Sequence, residues 1–451
     1  MTHSSYQRPS IECRLVLFSA GTMQVLVVPT AEGWHLPHLP LPAASRSAEA
    51  LSTAVRERFG LVSLQLAMIP DATGSSFCTV HEIIATAEAL PCQLSFAALN
   101  SIASGKLSDR ESAIVFRIMK GEASEFGRFA KPGWLAGMFA KLGKGLNIDH
   151  LHMVHHLNCG VNFCLLSMVD SDGRKLWFKS VGEPNICEYA ITVELARRFP
   201  AYLPKILFTI PEWHGWMMED VSGCPLSDSC SIHQCSQALA ALAFMQQEMA
   251  DYRNVLSALG ANDWSYARIF SLIDSFCEDA HRAMLAQTSN RSKSLAASEL
   301  IELRRGIEDA LDQLNGAGIP ETLLHPDLGH GNVIATANGP IFLDWASASI
   351  GHPFLSAEQM LADLIRSAEI FGQSQATLRR GYAMQWRRFA SSMENLDKAA
   401  ALMPAVAAFV YAMMAWDASR HLPSSKDAWP IVRSMLRRTK RELEVKNELT
   451  S

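Results

Sequence analysis

Asp327 and Asn332 stand five residues apart in the stretch LLHPDLGHGNVIATANGPIFLDW, residues 323–345, and Asp344 lies near its end. This set of groups suits phosphoryl transfer. One carboxylate orients an acceptor hydroxyl and takes its proton, while an amide oxygen and a second carboxylate hold a divalent cation against phosphate oxygens. Positioning them takes a loop that runs into a hairpin. Two apolar runs, Val333–Ala335 and Ile341–Leu343, flank Asn338-Gly339-Pro340, a turn signal. A hairpin there brings Asn332 and Asp344 together beside Asp327.

A second group of candidates lies upstream. Phe163–Val169 and Leu176–Lys179 flank Asp170-Ser171-Asp172-Gly173, which reads as a hairpin. Gly160, in NCGVNF, opens its first strand and permits close approach to a phosphate, and Lys179 ends the second. A lysine so placed reaches the phosphates of a nucleotide when an acid holds it. The next helix, Pro184–Arg198, carries Glu188 as that acid. Further strands are expected at Ile206–Thr209 and Trp216–Val221, with backbone groups at Met218, Glu219 and Asp220 available to an adenine edge.

The segments HPDLGHGNVI and IFLDW resemble the aminoglycoside phosphotransferase/choline kinase family, whose core is protein-kinase-like. The resemblance implies an α+β fold with two lobes, a strand-rich ATP lobe and a mainly helical lobe. It implies Asp327 as catalytic base, Asn332 and Asp344 as Mg²⁺ ligands, and His325 as a brace of the loop. In the family an acidic residue precedes a Leu-Ala pair by seven positions, which selects Glu188, seven before Leu195, over Glu194. The chain departs from the family pattern at SIGHPF, residues 349–354, where His352 and then Ser356 stand in place of two aspartates.

The reading is then an ATP-dependent phosphotransferase acting on a hydroxyl of a small molecule of aminoglycoside, amino alcohol or sugar type, with ATP and Mg²⁺. The alternative is a nucleotide-binding regulatory protein without turnover. Between Pro225 and Pro320 twelve acidic residues face seven basic ones, a balance of −5 that suits a cationic acceptor.

Composition sets the bounds. The 451 residues are 49% hydrophobic and 19% charged with a net charge of −5, so a disordered chain is excluded and no basic field points to nucleic acid. The uncharged run Ala399–Trp416 is 18 residues long but carries Pro404 and many Ala and Met, and reads as a core helix rather than a membrane span. Ten cysteines without a C-x-x-C pair read as reduced thiols of a cytoplasmic protein.

The family resemblance leaves the first third unexplained. The division expected is a small α/β domain over 1–118, a linker over 119–147, the ATP lobe over 148–223 and the helical lobe over 224–451. Glu49–Leu61 resembles the end of a Nudix box from which all acids but Glu57 are gone. One carboxylate is a poor Mg²⁺ site, so this region is expected to bind or pack rather than hydrolyse.

Overall fold

The computed structural model describes residues 10–31, 33–42, 47–71, 76–86, 94–99, 107–142, 154–170, 172–228, 231–366, 372–421 and 428–450. The chain divides into two compact units, one of Met1–Tyr189 with Lys205–Asp220, the other of Ala190–Pro204 with Val221–Ser451.

The first unit holds two sheets. Strands β1 (Ser10–Ser19), β2 (Gln24–Thr30), β3 (Gly33–His35), β4 (His38–Pro42), β5 (Leu61–Pro70), β6 (Ser76–Thr86) and β7 (Ser95–Ala98) form a seven-stranded sheet in which β1 and β6 run parallel. The helix α1 (Ser47–Phe59) buries Leu51, Val55 and Phe59 against one face of it, as their helical spacing dictates. Helix α2 (Asp109–Met119) starts at a capping box in which Ser108 and Glu111 satisfy each other's backbone N–H, and Glu111 also binds Arg14 at 2.5 Å.

The second sheet has the order β11-β12-β10-β9-β8, from β8 (His155–Cys159), β9 (Cys164–Val169), β10 (Lys175–Ser180), β11 (Ile206–Ile210) and β12 (Gly215–Glu219). One hydrophobic core serves both sheets. It joins Val16, Leu64 and Val80 of the first to Leu166, Phe178 and Met217 of the second. Between them lies residues 119–147, anticipated as a linker. Its described part is packed: helix α3 (Trp134–Leu142) buries Trp134, Leu135, Met138 and Leu142, and Phe129 is fully buried. Short 3-10 turns and a nine-residue helix carry no sustained 3.6-residue period, which is why the sequence pattern there looks irregular.

The other unit is mainly helical. Helix α4 (Cys187–Arg198) begins in the first unit and ends in this one. The remaining helices are α5 (Ile232–Met249), α6 (Arg253–Ala258), α7 (Tyr266–Leu285), α8 (Ala297–Gly316), α9 (Phe354–Arg366), α10 (Gly372–Gln385), α11 (Met393–His421) and α12 (Ala428–Thr450). Two small sheets interrupt them. One joins β13 (Cys224–Pro225), β16 (Val333–Thr336) and β17 (Gly339–Phe342); the other joins β14 (Asn262–Trp264), β18 (Ser349–Gly351) and β15 (Thr322–Leu324).

The segment Met393–Arg420 within α11 is long and apolar enough to cross a membrane by length and composition. In this fold 72% of its most apolar window is buried, with Phe409 and Trp416 edge-on to Phe276 of α7. It is a core helix of its unit.

Candidate active site

The stretch that carries Asp327, Asn332 and Asp344 is a loop between β15 and β16, followed by the β16–β17 hairpin. Pairing of Val333 with Phe342 and Ile334 with Ile341 sets the hairpin register, and the turn falls at Ala337-Asn338. Gly339 and Pro340, anticipated in the turn, instead start β17. The pairing brings Asn332 and Asp344 to one end of the hairpin, where the Leu343 N–H donates to the Asn332 carbonyl at 2.9 Å.

Asp327 and Asn332 are in direct contact. The Asn332 Nδ2 donates to the Asp327 carbonyl at 2.8 Å and approaches its Oδ2 at 3.5 Å. The amide's N–H side is thereby engaged, which leaves its oxygen as the donor for a cation. Asp344 follows with φ +61, a left-handed conformation uncommon for a residue with a side chain. Such backbones are held at functional turns by their surroundings; here buried Trp345 on one side and β17 on the other hold it.

Although residue 327 as a whole is exposed, partial desolvation of the Asp327 carboxyl raises it above the usual aspartate range, and the negative charges of Asp344 and Asp363 push it further, against the lowering effect of Asn332. Three carboxylates therefore share one region of the unit. Hard oxygens that repel one another fit a divalent cation. Among the described residues no group of three or more His, Cys, Asp and Glu is arranged to hold a metal alone. Asn332 and Asp344 offer an amide oxygen and a carboxylate, an oxygen set that could hold a divalent cation with further ligands from outside the chain.

His325 is occupied by structure. Its ring is buried against Trp345, with centroids 4.4 Å apart, and Nε2 donates to the Leu343 carbonyl at 2.8 Å. Its backbone N–H donates to the Ser356 hydroxyl at 2.8 Å. Ser356, at a departure from the family pattern, thus still takes a backbone bond of the catalytic loop. His352, at the other departure, is buried between Tyr266 and Phe354, and burial lowers it to about 3, so it is neutral.

Sequence reasoning missed Asp363. It lies seven residues after Ser356 on α9, so both occupy one helix face. Its carboxylate accepts the His330 backbone N–H at 2.9 Å and also meets His330 Nδ1. One face of α9 therefore stitches the catalytic loop at two points. The i, i+7 spacing of Ser356 and Asp363 was the available signal.

In the first unit Lys179 lies on β10, and its Nζ binds Glu188 Oε1 at 2.5 Å, with both side chains nearly buried. Glu194 instead pairs with Arg197 and Arg198. Gly160 closes the β8–β9 hairpin, its N–H donating to the Phe163 carbonyl at 2.8 Å. A side chain at 160 would meet only Phe163 at an ordinary 3.6 Å, so space alone does not demand glycine there.

Met218 and Glu219 end β12, with Asp220 just beyond. The Glu219 and Asp220 N–H groups already donate to the carbonyls of Lys205 and Lys175, both at 3.0 Å. The side chains are engaged too: Glu219 with Lys205 at 2.9 Å, Asp220 with Trp177 Nε1 at 2.5 Å and Lys175 at 3.3 Å. The backbone donors anticipated for an adenine edge at 219 and 220 are thus used inside the sheet. His155 and His156 lie on β8, while His150 and His152 fall outside the described residues.

Residues 190–402 match the model of the APH phosphotransferase enzyme family. The match contains Asp327, Asn332 and Asp344 and begins just after Lys179 and Glu188. No curated protein matches the chain in sequence. Among solved structures, the chain is similar to choline kinase from Cryptosporidium parvum Iowa II, at 13% identity and a TM-score of 0.48 over 70% of this chain and 96% of that one. It is also similar to a choline/ethanolamine kinase family protein from Mesorhizobium loti, at 13% identity and a TM-score of 0.44 over 69% and 95%. For a macrolide 2'-phosphotransferase from Brachybacterium faecium the identity is 15% and the TM-score 0.42, over 67% and 96%. The stretch that carries the loop and hairpin of Asp327, Asn332 and Asp344 thus lies within the part of the chain that is similar to the phosphotransferase enzyme family.

Proposed function

We propose that the chain is an ATP-dependent phosphotransferase that moves the γ-phosphate of ATP to a hydroxyl of a small molecule. The observation that carries this reading is the loop–hairpin end where Asn332 binds Asp327 and Asp344 follows in a left-handed turn. In this reading Asp327 accepts the acceptor's hydroxyl proton as the new P–O bond forms and the bond to the ADP oxygen breaks. Its raised pKa makes it a better base than an ordinary aspartate. Asn332 and Asp344 hold Mg²⁺, which neutralises phosphate charge when bound. Lys179, kept in place by Glu188, binds the phosphates as a fixed cation. His325 keeps the loop in shape and moves no proton.

The acidic balance of residues 225–320 supports a cationic acceptor of amino sugar or amino alcohol type. The first 118 residues, with Glu57 exposed on α1 beside Arg56 and Arg58, have one acid where hydrolysis needs several, which supports a packing role. The test is ADP release from Mg-ATP across a panel of aminoglycosides, amino alcohols and sugars, followed by the mass of each product. Release that depends on one acceptor class, with a product heavier by one phosphate, is expected. ATP binding without transfer to any of them returns the chain to the regulatory reading.

A further inference from the structure

We propose that residues 124–133 form a strut that positions the β8–β9 hairpin, with Gly127 as its point of contact; what the hairpin then holds, a nucleotide phosphate, rests on the phosphotransferase reading. Gly127 lies between two 3-10 turns, Ser124–Phe126 and Arg128–Ala130, with φ 82 and ψ −177, a conformation essentially restricted to glycine. A Cβ there would stand 1.6 Å from the Val161 carbonyl oxygen, 2.4 Å from its carbon and 2.9 Å from its Cα. The neighbour is backbone, so it has no flexible end that can swing away. Val161 is at the tip of the hairpin, and its side chain is 54% exposed.

The tip is also confined from the other side. A Cβ on Gly182, three residues after Lys179, would stand 2.3 Å from the Asn162 Cβ. The tip thus sits between two positions that lack side chains, one in the strut and one in the loop that leads to Glu188. Neither contact would be needed if the hairpin were meant to swing freely.

The strut itself is anchored at both ends. Phe129 is fully buried, edge-on to Trp134 at 4.9 Å and to Trp213 at 6.0 Å. Arg128 Nη1 donates to the Glu212 carbonyl at 2.6 Å, and Lys141 pairs with the Glu212 side chain. At the far end both oxygens of Glu82, on β6, accept the Gly133 N–H at 2.9 and 3.0 Å. A continuous path of packed groups therefore runs from β6 of the seven-stranded sheet to the hairpin tip. It gives the N-terminal region a task in nucleotide binding that needs no chemistry of its own, and it makes Gly127 a positioning residue.

The experiment uses the full chain with Gly127→Ala and, as a control, Gly121→Ala. Gly121 has φ +73, so alanine there is strained as well, but its added carbon meets only Lys131 and Pro132 at 3.7 Å or more. Amide hydrogen exchange at Gly160, whose N–H closes the hairpin, and binding of a non-hydrolysable ATP analogue are read in both. In Gly127→Ala, exchange at Gly160 and the Kd for the analogue are each expected to rise about tenfold, with kcat at saturating ATP changed far less. Gly121→Ala leaves both at wild-type values while lowering Tm. If Gly127→Ala does not fold, Arg128→Ala loosens the same anchor and gives the same changes at smaller size. Unchanged exchange at Gly160 in Gly127→Ala, or equal changes in both glycine variants, overturns the strut. The exchange readout needs no turnover, so a chain that transfers no phosphate sinks the functional reading and leaves this test standing.

Discussion

The two places that hold the candidate chemistry are built in opposite ways. Lys179 and Glu188 are a matched cation and anion, 2.5 Å apart and nearly buried. Asp327 and Asp344 are exposed acids that repel each other, with Asp363 adding to the same field. The first arrangement is complete without a ligand. The second is left with excess negative charge that a cation and a phosphate would resolve. One place is thus held together by opposite charges, and the other sets like charges side by side. Removing a residue from each should then have different signatures: loss of stability at the buried pair, loss of turnover alone at the exposed acids.

The largest effect is expected at the exposed acids. Asp327→Ala and Asp344→Ala should each lower kcat by about 10³-fold or more, since base catalysis and cation-held charge stabilisation each contribute on that order. Neither should lower Tm. Folding raises the Asp327 pKa, so the folded chain holds that proton more tightly than the unfolded one. This group's favourable contribution is present below its unfolded pKa and is lost as pH rises through the folded value. At neutral pH Asp327→Asn should therefore be at least as stable as wild type by calorimetry.

Next comes the buried pair. Lys179→Met removes the cation paired with the buried Glu188 carboxylate and should cost about 3–5 kcal/mol of stability, along with a raised KM for ATP. Lys179→Met with Glu188→Gln should regain most of the stability in denaturant titration and none of the activity. Recovery of activity would erase the contrast between the two places.

Smaller still is Ser356→Ala. It leaves the buried His325 N–H without its 2.8 Å acceptor and should cost about 1–3 kcal/mol. Because that bond shapes the catalytic loop, kcat should fall with ATP affinity unchanged. The smallest effect is a shift in pH dependence. The acid limb of kcat should lie above the ordinary aspartate range, and Asp363→Asn should move it to lower pH by removing one repelling charge. Movement in the other direction would mean that the limb belongs to a different group.

Much of this was legible in the sequence because the informative residues are close together there. Asp327, Asn332 and Asp344 fall within one short loop and hairpin, and Lys179 and Glu188 are nine residues apart, so local pattern together with the family resemblance brought them forward as candidates. What stayed hidden depends on contacts between distant residues. Glu82 and Gly133 are 51 positions apart, and nothing local marks Gly127 as a neighbour of Val161. The segment 119–147 looks like a linker because 3-10 turns have no amphipathic period, yet its described part, residues 119–142, packs into a core. Strands of three residues, such as β14, β15 and β18, are too short for alternation to show. Backbone donors cannot be read from side-chain types either, which is why the engagement of the Glu219 and Asp220 N–H groups became visible only in the fold.

The central claim is that Asp327 and Asp344 turn over ATP onto a hydroxyl. It is tested most directly by following transfer of labelled γ-phosphate to the best acceptor from the panel, in wild type, Asp327→Ala and Asp344→Ala, with and without Mg²⁺. Labelled product is expected from the wild type only, and only with the metal. Equal labelling of product in the wild type and both variants would contradict it.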